Sequence, residues 1–248
     1  MITLNKITKK YSSGANKVTG IENINFSVRK NEFVSIIGPT GTGKSTLLRI
    51  IAGLLPYDSG TVYCNKQTPA QAVRSGLMGF VPQQPLLLPN RTVRQNIELP
   101  LEIKKTRDND AVTAIIELVG LKGFEDFYPH QLSGGMKQKA AIACALVYNP
   151  KILLMDEPFS SLDMITREKA NYDLISIKQK IGQTVIFVTH NIEEAVFLSD
   201  RVVFISGIPG KIISDIPIKM GNRRHREIMT DESFFNEIKK VRKVMAMA

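Results

Sequence analysis

Cysteine is scarce in this chain: its 248 residues include two, Cys64 and Cys144. They lie far apart and in no metal-ligand spacing. That argues against a disulfide framework and leaves two reduced, structural thiols. Long apolar runs are missing as well, and none reaches the length needed to cross a bilayer. Residues 1–10 alternate polar and apolar side chains and lack the apolar stretch of a secretory signal, so the expectation is a cytosolic chain unless something else tethers it. There is no internal repeat, no low-complexity segment and no heptad run. What remains, 43% hydrophobic and 23% charged residues, is the composition of an ordinary globular protein able to bury a core.

The formal net charge is +10. Such a balance suits nucleic acid, an anionic membrane surface or phosphorylated ligands. The positive residues are dispersed except for Arg223, Arg224, His225 and Arg226, a short run that reads first as a solvated face.

Residues 1–30 read as β structure, with alternation at Ile2, Leu4 and Ile7, a polar loop over 12–17 and a second alternating run over 21–28. Phe33-Val34-Ser35-Ile36-Ile37 is a short apolar run feeding glycine, the pattern of a buried strand. A helix follows over 45–54, and further β-like pieces over 61–81. From about residue 84 to 148 the β texture disappears. Helices are expected there over 111–119, started by Asp108 or Asn109 and ended by Gly120, and over 134–148, opened by Ser133. Apolar strands return at 152–155, 184–188 and 201–205, with a helix over 165–180 and a terminal amphipathic helix over 233–244. Alternating strands and helices imply an α/β architecture with a mostly parallel sheet.

Gly38-Pro39-Thr40-Gly41-Thr42-Gly43-Lys44-Ser45-Thr46 fits G-x-x-x-x-G-K-[ST] between an apolar strand and a helix, as a phosphate-binding loop requires. Glycines let the backbone wrap phosphate closely, N–H groups and the helix start face the anion, Lys44 brings positive charge and Ser45 offers a hydroxyl to Mg²⁺. The strand of residues 152–155 ends in Asp156-Glu157. Asp156 there can hold Mg²⁺, and Glu157 can polarise an attacking water as general base.

Leu132-Ser133-Gly134-Gly135-Met136 precedes the helix of 134–148, and here the sequence resembles the ABC ATPase family, whose signature is L-S-G-G-Q. The other family motifs follow in order along essentially the whole chain. By that resemblance Tyr11 stacks on adenine, Gln83 links the Mg²⁺ site to the helical insert, and Asp163 of Ser160-Ser161-Leu162-Asp163 faces a partner subunit. His190 of Thr189-His190 is the switch histidine at the γ-phosphate. Ser133, Gly134 and Gly135 contact the γ-phosphate held by the opposite protomer of a head-to-tail dimer. The implied fold is a P-loop NTPase core with a mostly parallel sheet, an N-terminal antiparallel β subdomain and a helical insert. It forms a single domain: core with β subdomain at 1–83 and 151–217, insert at 84–150, and a C-terminal helical extension at 218–248. Met136 stands where many members have Gln, and Lys139 and Cys144 stand where the signature helix often carries arginines.

Within the family the chain resembles the nitrate, sulfonate and taurine importer ATPases. The resemblance lies in Leu87-Leu88-Pro89, in Leu132-Ser133-Gly134-Gly135-Met136-Lys137-Gln138, where Met136 is the group's usual residue, in the segment 188–201, and in Pro209-Gly210-Lys211-Ile212 with the later arginine run and Phe235. Asn90 departs from the usual Trp. The implied function is ATP hydrolysis that energises uptake of a small solute through a separate permease. ATP and Mg²⁺ are the ligands, the cytoplasmic face of the membrane is the location, and an extracytoplasmic substrate-binding protein is an indirect partner. The alternatives are a non-transport ABC ATPase acting on nucleic acid or the ribosome, and a regulator without turnover. The uninterrupted cassette disfavours the former and Glu157 the latter. Absent apolar spans exclude an exporter with fused membrane helices.

Overall fold

The computed structural model describes residues 1–13, 16–220 and 226–247. In chain order the elements are β1 (Ile2–Ser13), β2 (Asn16–Val28), β3 (Phe33–Ile37), α1 (Lys44–Ile51), β4 (Ser59–Cys64), α2 (Pro69–Arg74), β5 (Met78–Val81) and α3 (Val93–Ile103). They continue with α4 (Asn109–Leu118), α5 (Gly134–Leu146), β6 (Ile152–Asp156), α6 (Met164–Ile181), β7 (Thr184–Val188), α7 (Ile192–Leu198), β8 (Arg201–Ser206), β9 (Lys211–Pro217) and α8 (Glu232–Ala246).

Two sheets organise the chain: an antiparallel one ordered β2-β1-β4, and a larger one ordered β5-β6-β7-β3-β8-β9. In the larger sheet every neighbouring pair is parallel except β8 with β9. The inner strands are apolar throughout because both faces are covered, and their residues alternate between two cores. Ile152 and Leu154 of β6 and Val34 and Ile36 of β3 join Leu47, Leu48 and Ile51 of α1 and the buried side of the antiparallel sheet. Leu153, Met155, Phe33 and Ile37 point the other way, into a core continuous with apolar residues of α3 through α8. The period-2 pattern of the strands thus clamps the phosphate loop, which joins β3 to α1, between rigid layers. Among the described residues no helix is long and apolar enough to cross a membrane.

The expected helices appear with shifted ends, and Asp108 rather than Asn109 caps α4, accepting from Ala111 N at 2.8 Å. Several elements depart from the sequence reading. Strands reach Ser13 and resume at Asn16, with Ser12 paired to Lys17. Most of the loop expected over 12–17 is therefore ladder, since an antiparallel ribbon tolerates polar residues on its wet face; Gly14 and Ala15 lie outside the described residues. Helix α2 occupies part of the stretch read as β-like, and α3 fills a stretch read only as loss of β texture. Both begin with a Thr-x-x-Gln capping box, at Thr68 with Gln71 and at Thr92 with Gln95. That signal was legible. Pro100 inside α3 and the six residues of α2 weaken their helical periodicity. Of the basic run, Arg223, Arg224 and His225 lie outside the described residues.

Both thiols are buried deeply enough that desolvation pushes each up to about 12, and Cys144 Sγ donates to Asn96 O at 3.3 Å. Because the thiolate is the reactive form, native protein at pH 8 should react with iodoacetamide orders of magnitude more slowly than free cysteine. Unfolded protein should take up two equivalents, one for each of Cys64 and Cys144. Mass spectrometry of timed samples measures both, and rapid native labelling would contradict the burial.

Candidate active site

A cleft of 780 Å³ opens at the C-terminal ends of β3 and β6, where open parallel sheets bind ligands. Its lining includes Tyr11, Thr40, Gly41, Gly43, Lys44, Ser45, Thr46, Gln83, Glu157 and His190. The backbone that carries them is unusual in two places. Gly43 sits before α1 at φ 88°, and a Cβ there would lie 2.2 Å from Ile21 Cγ2. A larger residue would be strained and would clash, so the loop stays close to the helix start with its amides free. Glu157 also has positive φ, 44°, a conformation costing about 1–3 kcal/mol for a side chain of this kind. Its N–H donates to Val188 O at 2.9 Å, and Ser160 Oγ donates to its carbonyl at 3.0 Å. These bonds hold the turn after β6 so that the Glu157 carboxylate looks into the cleft.

Lys44 Nζ donates to Gly38 O at 2.9 Å and to Pro39 O at 2.8 Å, and Thr42 Oγ1 donates to Pro39 O at 2.9 Å. Burial pulls the Lys44 pKa below the ordinary lysine value, partly offset by the charges of Glu157 and Asp156. Ser45 Oγ donates to Asp156 Oδ1 at 2.6 Å. Burial pushes the Asp156 carboxyl above the usual carboxylate range, and the Ser45 hydrogen bond and nearby Arg49 pull it back. Arg49 lies 3.7 Å from Asp156 Oδ2. It stands four residues after Ser45 on α1, one helical turn along the same face, and helical spacing alone could have flagged it.

Around Glu157 the contacts are looser. Gln83 Nε2 lies 3.5 Å from Glu157 Oε2 and 3.4 Å from Ser160 Oγ; His190 Nδ1 lies 3.4 Å from Glu157 Oε2. The His190 turn is fixed from below: Thr189 Oγ1 donates to the buried Glu194 carboxyl, Asn191 N donates to Thr189 Oγ1 at 3.1 Å, and Asn191 caps α7. Neither Glu194 nor α7, which has only seven residues, was singled out from the sequence. Tyr11 is 41% exposed on the antiparallel sheet, with its hydroxyl 2.9 Å from Thr46 Oγ1. The ring thus stands beside the phosphate loop although it belongs to the other sheet.

The signature residues are elsewhere. Ser133, Gly134 and Gly135 do not line this cleft. Ser133 Oγ accepts from Met136 N at 3.3 Å and starts α5, with Ser133 and Gly134 exposed. Asp163 also lies outside the cleft lining. It caps α6, accepting from Thr166 N at 3.0 Å, and hydrogen bonding from the Thr166 side chain first, with its backbone N–H, holds the carboxyl below the ordinary value. A Cβ on Gly135 would come within 2.9 Å of Thr166 Cγ2, so the starts of α5 and α6 are packed together. Within one chain the phosphate loop and the signature form two separate surfaces.

A family model described as "ABC transporter" matches residues 21–160. The chain belongs to the ABC transporter family. An uncharacterized ABC transporter ATP-binding protein of Methanocaldococcus jannaschii is 42% identical over 98% of this chain and 91% of its own length. The aliphatic sulfonates import ATP-binding protein SsuB of Bacillus cereus is 41% identical, covering 96% of this chain and 93% of its own. The nitrate import ATP-binding protein NrtD of Synechocystis is 43% identical over 82% of this chain and 77% of its own. Among solved structures, a dimeric post-hydrolysis state of the ATP-binding cassette MJ0796 bound to ADP and Pi superposes with a TM-score of 0.79 at 34% identity. It covers 89% of this chain and all of that one. The fold of this ABC chain is that of the cassette.

Proposed function

We propose that this chain is the ATP-binding and ATP-hydrolysing subunit of an ABC importer, which energises uptake of a small solute through a separate permease. The observation that carries this is the convergence of Lys44, Ser45, Asp156, Glu157, Gln83 and His190 around one cleft, although they come from distant parts of the sequence. Lys44 leaves its carbonyl partners for the β- and γ-phosphates, alongside the amides of residues 40–46. Glu157 accepts the proton of the attacking water, and His190 and Gln83, both beside its carboxylate, orient that water and the γ-phosphate. Tyr11 offers its face to the base.

Mg²⁺ fits the residues present. A hydroxyl and a carboxylate oxygen 2.6 Å apart, with Gln83 lining the same cleft, make an oxygen-rich corner suited to a small hard cation that keeps phosphate and water ligands. Ser45, Asp156 and Gln83 would hold it, and bound there it would supply positive charge against the phosphates.

The relatives named for sulfonate and nitrate import support the same class of cargo here: nitrate, a sulfonate, taurine or a related solute. None of these relatives supports the nucleic-acid or ribosome reading. By the same reading the subunit lies peripherally on the cytoplasmic face, serves a permease fed by an extracytoplasmic binding protein, and works with a second copy of itself. Tethering to a permease needs a docking surface, and an apolar one adjoins Gln83. Leu86 is 79% exposed and Leu88 40%, while Leu87 packs inward on the core. Val93 N donates to Phe127 O at 2.8 Å and Arg94 N to Glu125 O at 2.9 Å, which ties the stretch carrying the partly exposed Phe124, Phe127 and Tyr128 to the start of α3, the helix that follows these leucines in the chain. Leu86→Glu should cut solute uptake by the membrane complex at least several-fold while leaving basal ATPase of the free subunit near wild type. Uptake into vesicles and phosphate release measure the two. Equal loss of both would point to misfolding, and uptake kept at the wild-type level would remove the segment from the coupling surface.

A further inference from the structure

The turn between β8 and β9 enters the nucleotide cleft, and no phosphate-loop, acidic-pair or signature residue accounts for it. Its Ile208 side chain is 79% exposed and lines the same cleft as Tyr11 and Lys44. An apolar side chain left in water is ordinary on a mobile surface, but this turn is pinned on two sides. Gly210 N donates to Gly20 O at 2.9 Å, and Gly210 O accepts from Glu22 N at 3.0 Å, which stitches the turn to β2. The same strand brings Val18, Thr19 and Gly20 to the cleft wall. On the other side a Cβ at Gly210 would lie 1.9 Å from Thr42 O. Only glycine allows the turn to lie this close to the phosphate loop.

The lining divides by chemistry. Lys44, Ser45, Thr46, Glu157 and His190 answer the triphosphate and the water. Once these are assigned, the exposed apolar surface left in the cleft is that of Tyr11, Val18 and Ile208. We propose that Ile208 is a nucleoside-binding residue, packing its side chain on the ribose or base as a wall fixed in advance by the turn. Because the turn is already ordered, the contact carries little entropic cost on binding. Because isoleucine has no donor or acceptor, it adds affinity for the nucleoside without choosing among bases. The inference rests on the ATP site described above and adds a residue from a segment outside its motifs.

The test is calorimetric titration of wild type, Ile208→Ala and Ile208→Leu with ATP, ADP, GTP and inorganic tripolyphosphate. Burying a few tens of Å² of isoleucine corresponds to about a five-fold effect. Ile208→Ala is expected to weaken ATP, ADP and GTP binding alike by about that factor and to leave tripolyphosphate unchanged, with Ile208→Leu near wild type. Unchanged ATP affinity in Ile208→Ala, or an equal loss for tripolyphosphate, would overturn the proposal, the second by showing that the substitution disturbs the phosphate loop instead. A wild-type protein that fails to bind ATP would sink the nucleotide site itself, a result distinct from either.

Discussion

Glu157→Gln is expected to bind ATP about as well as the wild type and to lose about 10²–10⁴-fold in turnover, the usual contribution of a positioned general base. Its carboxylate lies against His190 and Gln83 but makes no bond to Lys44, Ser45 or Asp156, so the phosphate-binding groups keep their geometry when it becomes an amide. The amide is nearly isosteric and holds the strained turn after β6 through the same backbone bonds, but it cannot accept the proton of water. Lys44→Ala should fail at the earlier step. It removes a buried charge directed at phosphate and should raise the dissociation constant for ATP by at least an order of magnitude. Steady-state phosphate release combined with equilibrium ATP binding separates the two phenotypes. Wild-type turnover in purified Glu157→Gln would remove Glu157 from the mechanism.

ATP should act as the glue of a head-to-tail pair of chains, and blocking hydrolysis should trap that pair. The reason is spatial. In one chain the start of α5, with Ser133 and Gly134 exposed, lies apart from the cleft that holds Lys44. Its free helix-end amides suit a γ-phosphate, which has to come from another copy. A related cassette, MJ0796, has been solved as a dimer bound to ADP and Pi. Glu157→Gln with ATP should therefore shift from monomer to dimer in light scattering or sedimentation, and wild type should do so only transiently. Adding Ser133→Arg should abolish the trapped dimer while ATP binding to the monomer stays within about three-fold, because the new bulk and charge fall on the facing contact and not on the phosphate loop. Persistent ATP-dependent dimers in the double variant would show that the signature does not close the partner's site.

Most of the site was legible because its parts are local. A phosphate loop needs glycines and a lysine in one contiguous stretch between a strand and a helix, and a metal-binding acid needs only an apolar strand that stops at it. Ser133 before α5 reads as a cap for the same reason, since a cap bonds to an amide three residues on; Asp163, expected by resemblance only to face a partner subunit, is shown by the structure to cap α6 in the same way. What escaped reading was either too short for a period, as with α7, or had its period broken, as with α3 around Pro100. Arg49 and Glu194 escaped differently. Each is an ordinary charged residue on a helix: the spacing of Arg49 from Ser45 was a signal not used, and the contact of Glu194 with Thr189 shows only in the structure.

The sequence by itself determined the family, the cassette fold and the loop and strand-end residues proposed to handle phosphate, because glycine conformations, strand ends and helix starts are encoded within a few residues of one another. The tertiary structure decided which of those residues share a cleft. It set Tyr11 of the antiparallel sheet beside Thr46, joined Ser45 to Asp156 across 111 positions, and kept Ser133 out. It also put Ile208 into the cleft by the close approach of Gly210 to Thr42. Such placements follow from how two sheets and their helices pack around shared cores, and no local pattern along the chain carries that distance.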